Sequence, residues 1–252
     1  MSQLSIQYAS DLHLSSADQY DFENIIIPVA DILVLAGDLG DPQSDVYHLF
    51  LAYLAQLQKN NKFKIILFIL GNHEYYYSNL IDGYQYLANL CLQYDIIILD
   101  NKTYKYGNYL FLGTTFWSYL PAYLATQIKK SINDYKKIEN ISPEIITTIH
   151  NNNVRWLSSQ LDRSEHTHMI KIVITHHAPL KYRTYHPKYE NKITNFAYAS
   201  NYPQLVNKCH IWIFGHTHYT TAFYYADTLL LSNPRGYKSE KLDYDNKKMI
   251  II

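Results

Sequence analysis

Residue types that can ligate a metal or move a proton fall in five short clusters, each directly after an apolar run. Asp11 and His13 follow SIQYAS, and Asp38 follows DILVLAG. Asn72, His73 and Glu74 follow KIILFIL and a glycine, His176 and His177 follow IVIT, and His216 and His218 follow IWIFG. Carboxylate, amide and imidazole donors without a thiolate suit Mn²⁺, Fe²⁺/Fe³⁺ or Zn²⁺ in a reactive site better than a structural zinc. A carboxylate such as Asp38 can bridge two cations about 4 Å apart, the spacing used for two-metal hydrolysis.

Elements that could bring these clusters together are legible around them. Short apolar runs cover 4–9, 31–36, 64–70, 95–99, 109–113, 171–175, 211–214 and 228–231, which predicts strands. Helical spacing fills 44–60, with Ser44 as N-cap, then 80–93, and 143–161, where Ser142 precedes Pro143. The alternation gives an α/β fold. In open α/β sheets the ligand crevice lies beyond the carboxyl ends of the strands, so the five clusters should converge on one place. Within Asp11/His13 and His216/His218 the members are two apart, so in extended backbone each pair would face one way and address one site. Gly37, Gly71 and Gly215 precede ligand candidates and let the chain turn closely.

Composition narrows the function. The 252 residues are 48% hydrophobic, enough for one domain spanning 1–252, and no linker or repeat divides them. Twenty-two basic residues balance 22 acidic ones. A nucleic-acid partner held by bulk charge is therefore disfavoured, and a phosphorylated small molecule is the favoured substrate class. Cys91 and Cys209 make no disulfide framework or zinc spacing, and the N-terminus lacks a secretory signal, which points to the cytoplasm. No apolar run reaches the roughly 20 residues of a membrane span. Tyr119 to Asn140 reads as polar and helical, while 181–203 reads as a substrate-facing loop.

In this order D-x-H, GD-x-x-D, GNHE, THH and GHTH closely resemble the calcineurin-like metallophosphatase family, and YASDLHL, THHAP and NPRGY are similar to its small bacterial members. The resemblance implies a four-layer α/β/β/α sandwich of two sheets flanked by helices. It implies one metal held by Asp11, His13, Asp38 and His218, and a second held by Asp38, Asn72, His176 and His216. By the same resemblance His176 coordinates and His177 is left to contact substrate or a ligand. The implied reaction is hydrolysis of a phosphomonoester or phosphodiester by a hydroxide bridging the metals, with His73 as general acid. Asp41, at the second Asp of GD-x-x-D, would hold His73 by a hydrogen bond, or else serve only as a turn former. Pro42 stands where related protein phosphatases carry an arginine, leaving Arg183 or Arg235 for that role, although Arg235 could equally anchor backbone. Competing readings are a non-catalytic scaffold on the same fold and a nuclease of the same metal chemistry. A degenerate scaffold should have lost ligands, and here every position is filled.

Overall fold

The structure, a computed structural model, describes residues 3–19 and 21–252. Its strands, numbered in chain order, are β1 (Ser5–Ala9), β2 (Ile32–Leu35), β3 (Ile65–Phe68), β4 (Ile97–Ile98), β5 (Lys102–Tyr106) and β6 (Tyr109–Thr114). They continue with β7 (Ile170–Thr175), β8 (Ile211–Ile213), β9 (Thr221–Tyr225), β10 (Thr228–Ser232) and β11 (Met249–Ile251). Two sheets form, in the orders β11-β1-β2-β3-β4 and β5-β6-β7-β8-β10-β9. In the first, β1 to β4 run parallel and β11 returns antiparallel along β1. In the second, β6, β7, β8 and β10 run parallel, with antiparallel β5 and β9 at the edges.

The sheets are pressed face to face, which explains why their central strands read as unbroken apolar runs rather than alternating ones. Ile6, Tyr8, Ile32, Val34, Ile65 and Leu67 of the first sheet share a core with Phe111, Ile172, Ile174, Ile211 and Ile213 of the second. The other side of the first sheet, through Leu33, Leu35, Ile66 and Phe68, buries the apolar stripes of helices Asp45–Lys59 and Leu80–Gln93. The outer side of the second sheet packs Val173 and Trp212 on Leu157 and Leu161 of helix Pro143–Leu161. This is the expected α/β/β/α sandwich. Ser44, Asn79 and Ser142 cap the three helices, each side chain accepting a backbone N–H of the first turn.

All eight expected strands and the three long helices are present. Three strands lacked a signal: β5 is mostly exposed, β9 buries only Phe223, and β11 is a three-residue edge. The polar stretch 119–140 holds short helices Ala125–Ser131 and Asp134–Lys137. The 181–203 stretch folds into single 3-10 turns at Pro187–Tyr189 and Ile193–Ala197. Among the described residues no helix is long and apolar enough to cross a membrane.

Candidate metal centre

The ligand candidates leave the carboxyl ends of β1, β2 and β3 in one sheet and of β7 and β8 in the other. The convergence therefore spans the facing rims of two sheets instead of one. Nor do the paired residues share a direction by strand pleat. Asp11, His13, Asp38, His216 and His218 all take left-handed backbone, with φ of 51°, 43°, 57°, 66° and 47°. Asp, Asn and His tolerate that region best among residues with a Cβ, yet each such position costs about 1–3 kcal/mol. Asp11 and His13 fall in one donor group as expected, whereas His216 and His218 enter different groups, correcting the expectation that the second pair serves one site.

Neighbouring segments hold the turns in place. Backbone N–H groups of Asp38, Leu39 and Gly71 all donate to the buried Glu74 carboxylate, at 2.8, 2.7 and 2.6 Å. The Asp11 carboxylate accepts Ser10 Oγ at 2.5 Å and the His216 N–H at 3.0 Å, joining the two sheets. After β10 the NPRGY segment runs beside this turn, with Arg235 N donating to Ser10 O and Arg235 Nη1 to Leu12 O, both at 3.0 Å. The glycines before the ligands matter chiefly as space. A Cβ on Gly71 would lie 2.1 Å from Asp38 Oδ1, and one on Gly37, itself at φ +93°, would lie 2.3 Å from His176 Nδ1.

Three groups of donors result: Asp11, His13 and His218; His13, Asp38 and His73; Asp38, His176 and His216, with donor atoms in each group within 4.8 Å of one another. Asp38 and His13 each belong to two of them. His13 Nε2 and His218 Nε2 are 3.0 Å apart, and His218 Nε2 lies 3.4 Å from Asp11 Oδ1. His176 Nε2 is 3.1 Å from Asn72 Oδ1 and 3.4 Å from Asp38 Oδ2. Around a cation with bonds near 2.1 Å, adjacent ligands stand about 3.0–3.4 Å apart. These four pairs have that spacing, and all the donors are nitrogen or oxygen, so the residues fit divalent cations.

Electrostatics without a cation point the same way. Burial alone would push the Asp11 carboxyl up, but the hydrogen bond and charge of His218 bring it down to about 2. Burial opposes charge on His218 and His176 too, yet Asp11 and Glu240 hold the first up to about 10 and Asp38 holds the second up to about 9. Burial pushes His13 down to about 4 and His216 to about 3. Two imidazolium protons thus balance two buried carboxylates, and a cation would displace them.

His73 lies at the mouth, its side chain 20% exposed and Nε2 3.8 Å from Asp38 Oδ2. Tyr237 stacks on His13 with ring centroids 4.2 Å apart and places its hydroxyl 3.3 Å from His73 Nε2. Asp41 does not make the expected bond to His73: its Oδ1 accepts the Gln43 N–H at 3.0 Å in the turn that starts helix Asp45–Lys59. Arg235 is tied to Leu12 O and, at 2.7 Å, to Asp18. Arg183 is exposed and lies over the Phe223 ring. Neither arginine lines the cavity above the donors. His177 does not line that cavity: it is buried, with its ring centroid 4.0 Å from that of His216 and Nδ1 2.9 Å from Ser118 Oγ. The cavity encloses about 580 Å³, and its walls include Tyr76, Tyr189, Tyr198, His186 and Lys188.

Several contributors lay beyond reading from the chain. Glu240, 2.6 Å from His218 Nδ1, sits in a polar tail without motif or period. Asp134, which accepts Asn72 Nδ2 at 2.8 Å, lies in the stretch read only as polar and helical. His186 is exposed and lines the cavity, His150 is buried on helix Pro143–Leu161, and His166 is buried in a short turn, none of them marked by a motif.

A sandwich of two sheets with carboxylate, amide and imidazole donors gathered at its facing rims is a scaffold for binding metal cations. The chain belongs to the calcineurin-like phosphoesterase family, whose model matches residues 5–220. It is 31% identical over 269 aligned positions to an uncharacterized protein of Acanthamoeba polyphaga mimivirus, covering 95% of this chain and 94% of that one. Among solved structures it resembles the phosphopantetheinyl hydrolase PptH of Mycobacterium tuberculosis, with a TM-score of 0.74, 15% identity, and coverage of 98% and 96%. It also resembles a dimetal phosphatase of Danio rerio, with a TM-score of 0.53, 11% identity, and coverage of 91% and 86%. At those identities the likeness to the solved structures is one of fold.

Proposed function

We propose that the chain is a dinuclear metal-dependent hydrolase of phosphate esters, a phosphomonoesterase or phosphodiesterase acting on small phosphorylated molecules in the cytoplasm. One observation carries the reading: donor atoms from five strand ends, on turns strained at five positions, stand at the mutual spacing of ligands around cations. Asp11, His13, Asp38 and His218 would hold one cation, and Asp38, Asn72, His176 and His216 the other. Manganese, iron or zinc there would supply an activated water and Lewis acidity toward the phosphate oxygens.

The chain's own groups do the rest. His73, at the mouth of the donor cluster and lining the cavity, donates the proton that the departing oxygen needs. Tyr237, whose hydroxyl approaches His73 Nε2, takes the orienting part first assigned to Asp41. Tyrosine walls exclude water around the ester. Among the described residues Lys188 is the one Lys or Arg along those walls, which suits a small monoanionic or dianionic ester better than a polynucleotide.

Mn²⁺-supplemented turnover of p-nitrophenyl phosphate, its bis-ester and phenylphosphonate analogues, compared between the parent, Asp38→Ala and His73→Ala, tests the reading. Loss of turnover and of metal in Asp38→Ala is expected. His73→Ala should lose about 10²-fold or more on poor leaving groups and less on p-nitrophenolate. Full activity with two metals in Asp38→Ala would end the dinuclear reading.

A further inference from the structure

The weakest donor in the set is the amide of Asn72, a neutral oxygen among carboxylates and imidazoles. An asparagine offers a cation its oxygen only if its NH₂ is held elsewhere, because the two ends of the amide are close in shape and opposite in polarity. Here the NH₂ is held by the carboxylate of Asp134, with a longer contact to the Tyr76 hydroxyl oxygen at 3.4 Å. Asp134 Oδ1 accepts Asn72 Nδ2 at 2.8 Å, and that leaves Asn72 Oδ1 facing His176 Nε2 at 3.1 Å. The same Oδ1 accepts the Tyr76 hydroxyl at 2.9 Å, and the Tyr76 ring lies against His73 with centroids 4.2 Å apart. One buried acid thus touches both the amide ligand and the ring that braces the candidate general acid.

Asp134 is 7% exposed and has no cationic partner among its hydrogen bonds, so its burial serves no ion pair. A buried carboxylate without a counterion is costly, and retaining one needs a return. Its segment is fastened to the loop after β3 by two backbone bonds, Tyr77 N to Lys137 O at 2.7 Å and Glu139 N to Ser78 O at 2.8 Å. These fix Asp134 relative to Asn72 although 62 positions separate them.

We propose that Asp134 is a positioning residue for the metal centre: it sets the amide of Asn72 with oxygen inward and, through the N–H···O⁻ bond, strengthens that oxygen as a ligand. The inference rests on the dinuclear reading above. Its signature is asymmetry, because Asn72 contributes to one cation and not the other. A carboxylate that merely stabilised the fold would weaken both binding steps together, or neither.

The test is calorimetric titration of the metal-free full chain with Mn²⁺ alone, checked by elemental analysis after gel filtration, for the parent, Asp134→Asn and Asp134→Leu. In Asp134→Asn the carbonyl oxygen can still accept both hydrogen bonds, so orientation survives and only the charge is lost. One binding step is expected to weaken about 10-fold, with the other unchanged. In Asp134→Leu the same step is expected to weaken about 10–100-fold, again with the other unchanged. Equal weakening of both steps, or no change in either, overturns the proposal. Should Asp134→Leu fail to fold, Asp134→Asn alone decides by the same criterion. A parent that binds fewer than two Mn²⁺ sinks the dinuclear reading itself, whereas a parent with two and an Asp134→Asn variant identical to it sinks only this inference.

Discussion

Replacing Gly71 by alanine adds one methyl group at the most crowded point of the site. The new Cβ would stand 2.1 Å from Asp38 Oδ1 and 2.7 Å from the Asp38 backbone nitrogen. Neither atom can yield freely: Oδ1 accepts the His73 N–H at 2.9 Å, and Asp38 N donates to Glu74 Oε2 at 2.8 Å. Reaching ordinary contact requires an opening of about 1 Å or more. Overpacking of that kind costs about 1–3 kcal/mol, or a fall in Tm of about 2–6 °C for a chain of this length. Activity should suffer more than stability, because the carboxylate displaced is the one shared between two donor groups. A misplacement near 1 Å at a catalytic centre costs on the order of 10²-fold. Thermal unfolding, Mn²⁺ content and kcat/KM on p-nitrophenyl phosphate measured on one preparation report all three effects. The parent's kcat/KM together with the parent's metal content in Gly71→Ala would refute the reasoning.

Other substitutions separate structural from catalytic carboxylates. Asp41→Ala removes a turn acceptor that does not contact His73, so it should cost about 0.5–2 kcal/mol of stability and leave kcat/KM within a factor of two; a 10-fold loss of turnover at full metal content would restore Asp41 to the mechanism. Asp18 is buried against Arg235 at 2.7 Å and Lys238 at 3.1 Å; although burial favours its neutral form, the Arg235 and Ser15 hydrogen bonds hold its carboxyl well below the usual range. A carboxyl depressed in the folded state adds stability above its unfolded pKa, near 4, and loses it as pH falls toward the folded value. Arg235→Met should therefore lower stability at pH 7 by about 1–3 kcal/mol and flatten the decline of the parent between about pH 4 and 2. Denaturant melts across that range check it, and parallel pH curves for the two proteins would count against it.

What could be read directly from the chain was the part dictated by burial and local chemistry. β2 and β3 lie between two covered faces, so they had to be apolar throughout, and the donors at their ends stood out by contrast. Ser44 and Ser142 marked helix starts because capping is a local bond. Contributions made across long separations left no such trace. Glu240 reaches His218 over 22 positions and Asp134 reaches Asn72 over 62, and a lone acid in a polar stretch carries no sign of either partner. Edge strand β5 pairs on one side only and alternates exposed Lys102 and Lys105 with half-buried Tyr104 and Tyr106, so it lacked the apolar run by which the inner strands were recognised. The left-handed turns at Asp11 and His13 were equally hidden. The turn is hydrogen-bonded both to the Gly37–Leu39 backbone and to the NPRGY segment more than 220 positions away, which a two-residue spacing rule cannot anticipate.

The measurement that meets the central claim most directly is anomalous X-ray scattering at the manganese edge from crystals soaked in Mn²⁺. Two peaks are predicted, about 4 Å apart, with Asp38 between them, one flanked by Asp11, His13 and His218 and the other by Asn72, His176 and His216. A single peak, or peaks lying away from Asp38, would contradict the account.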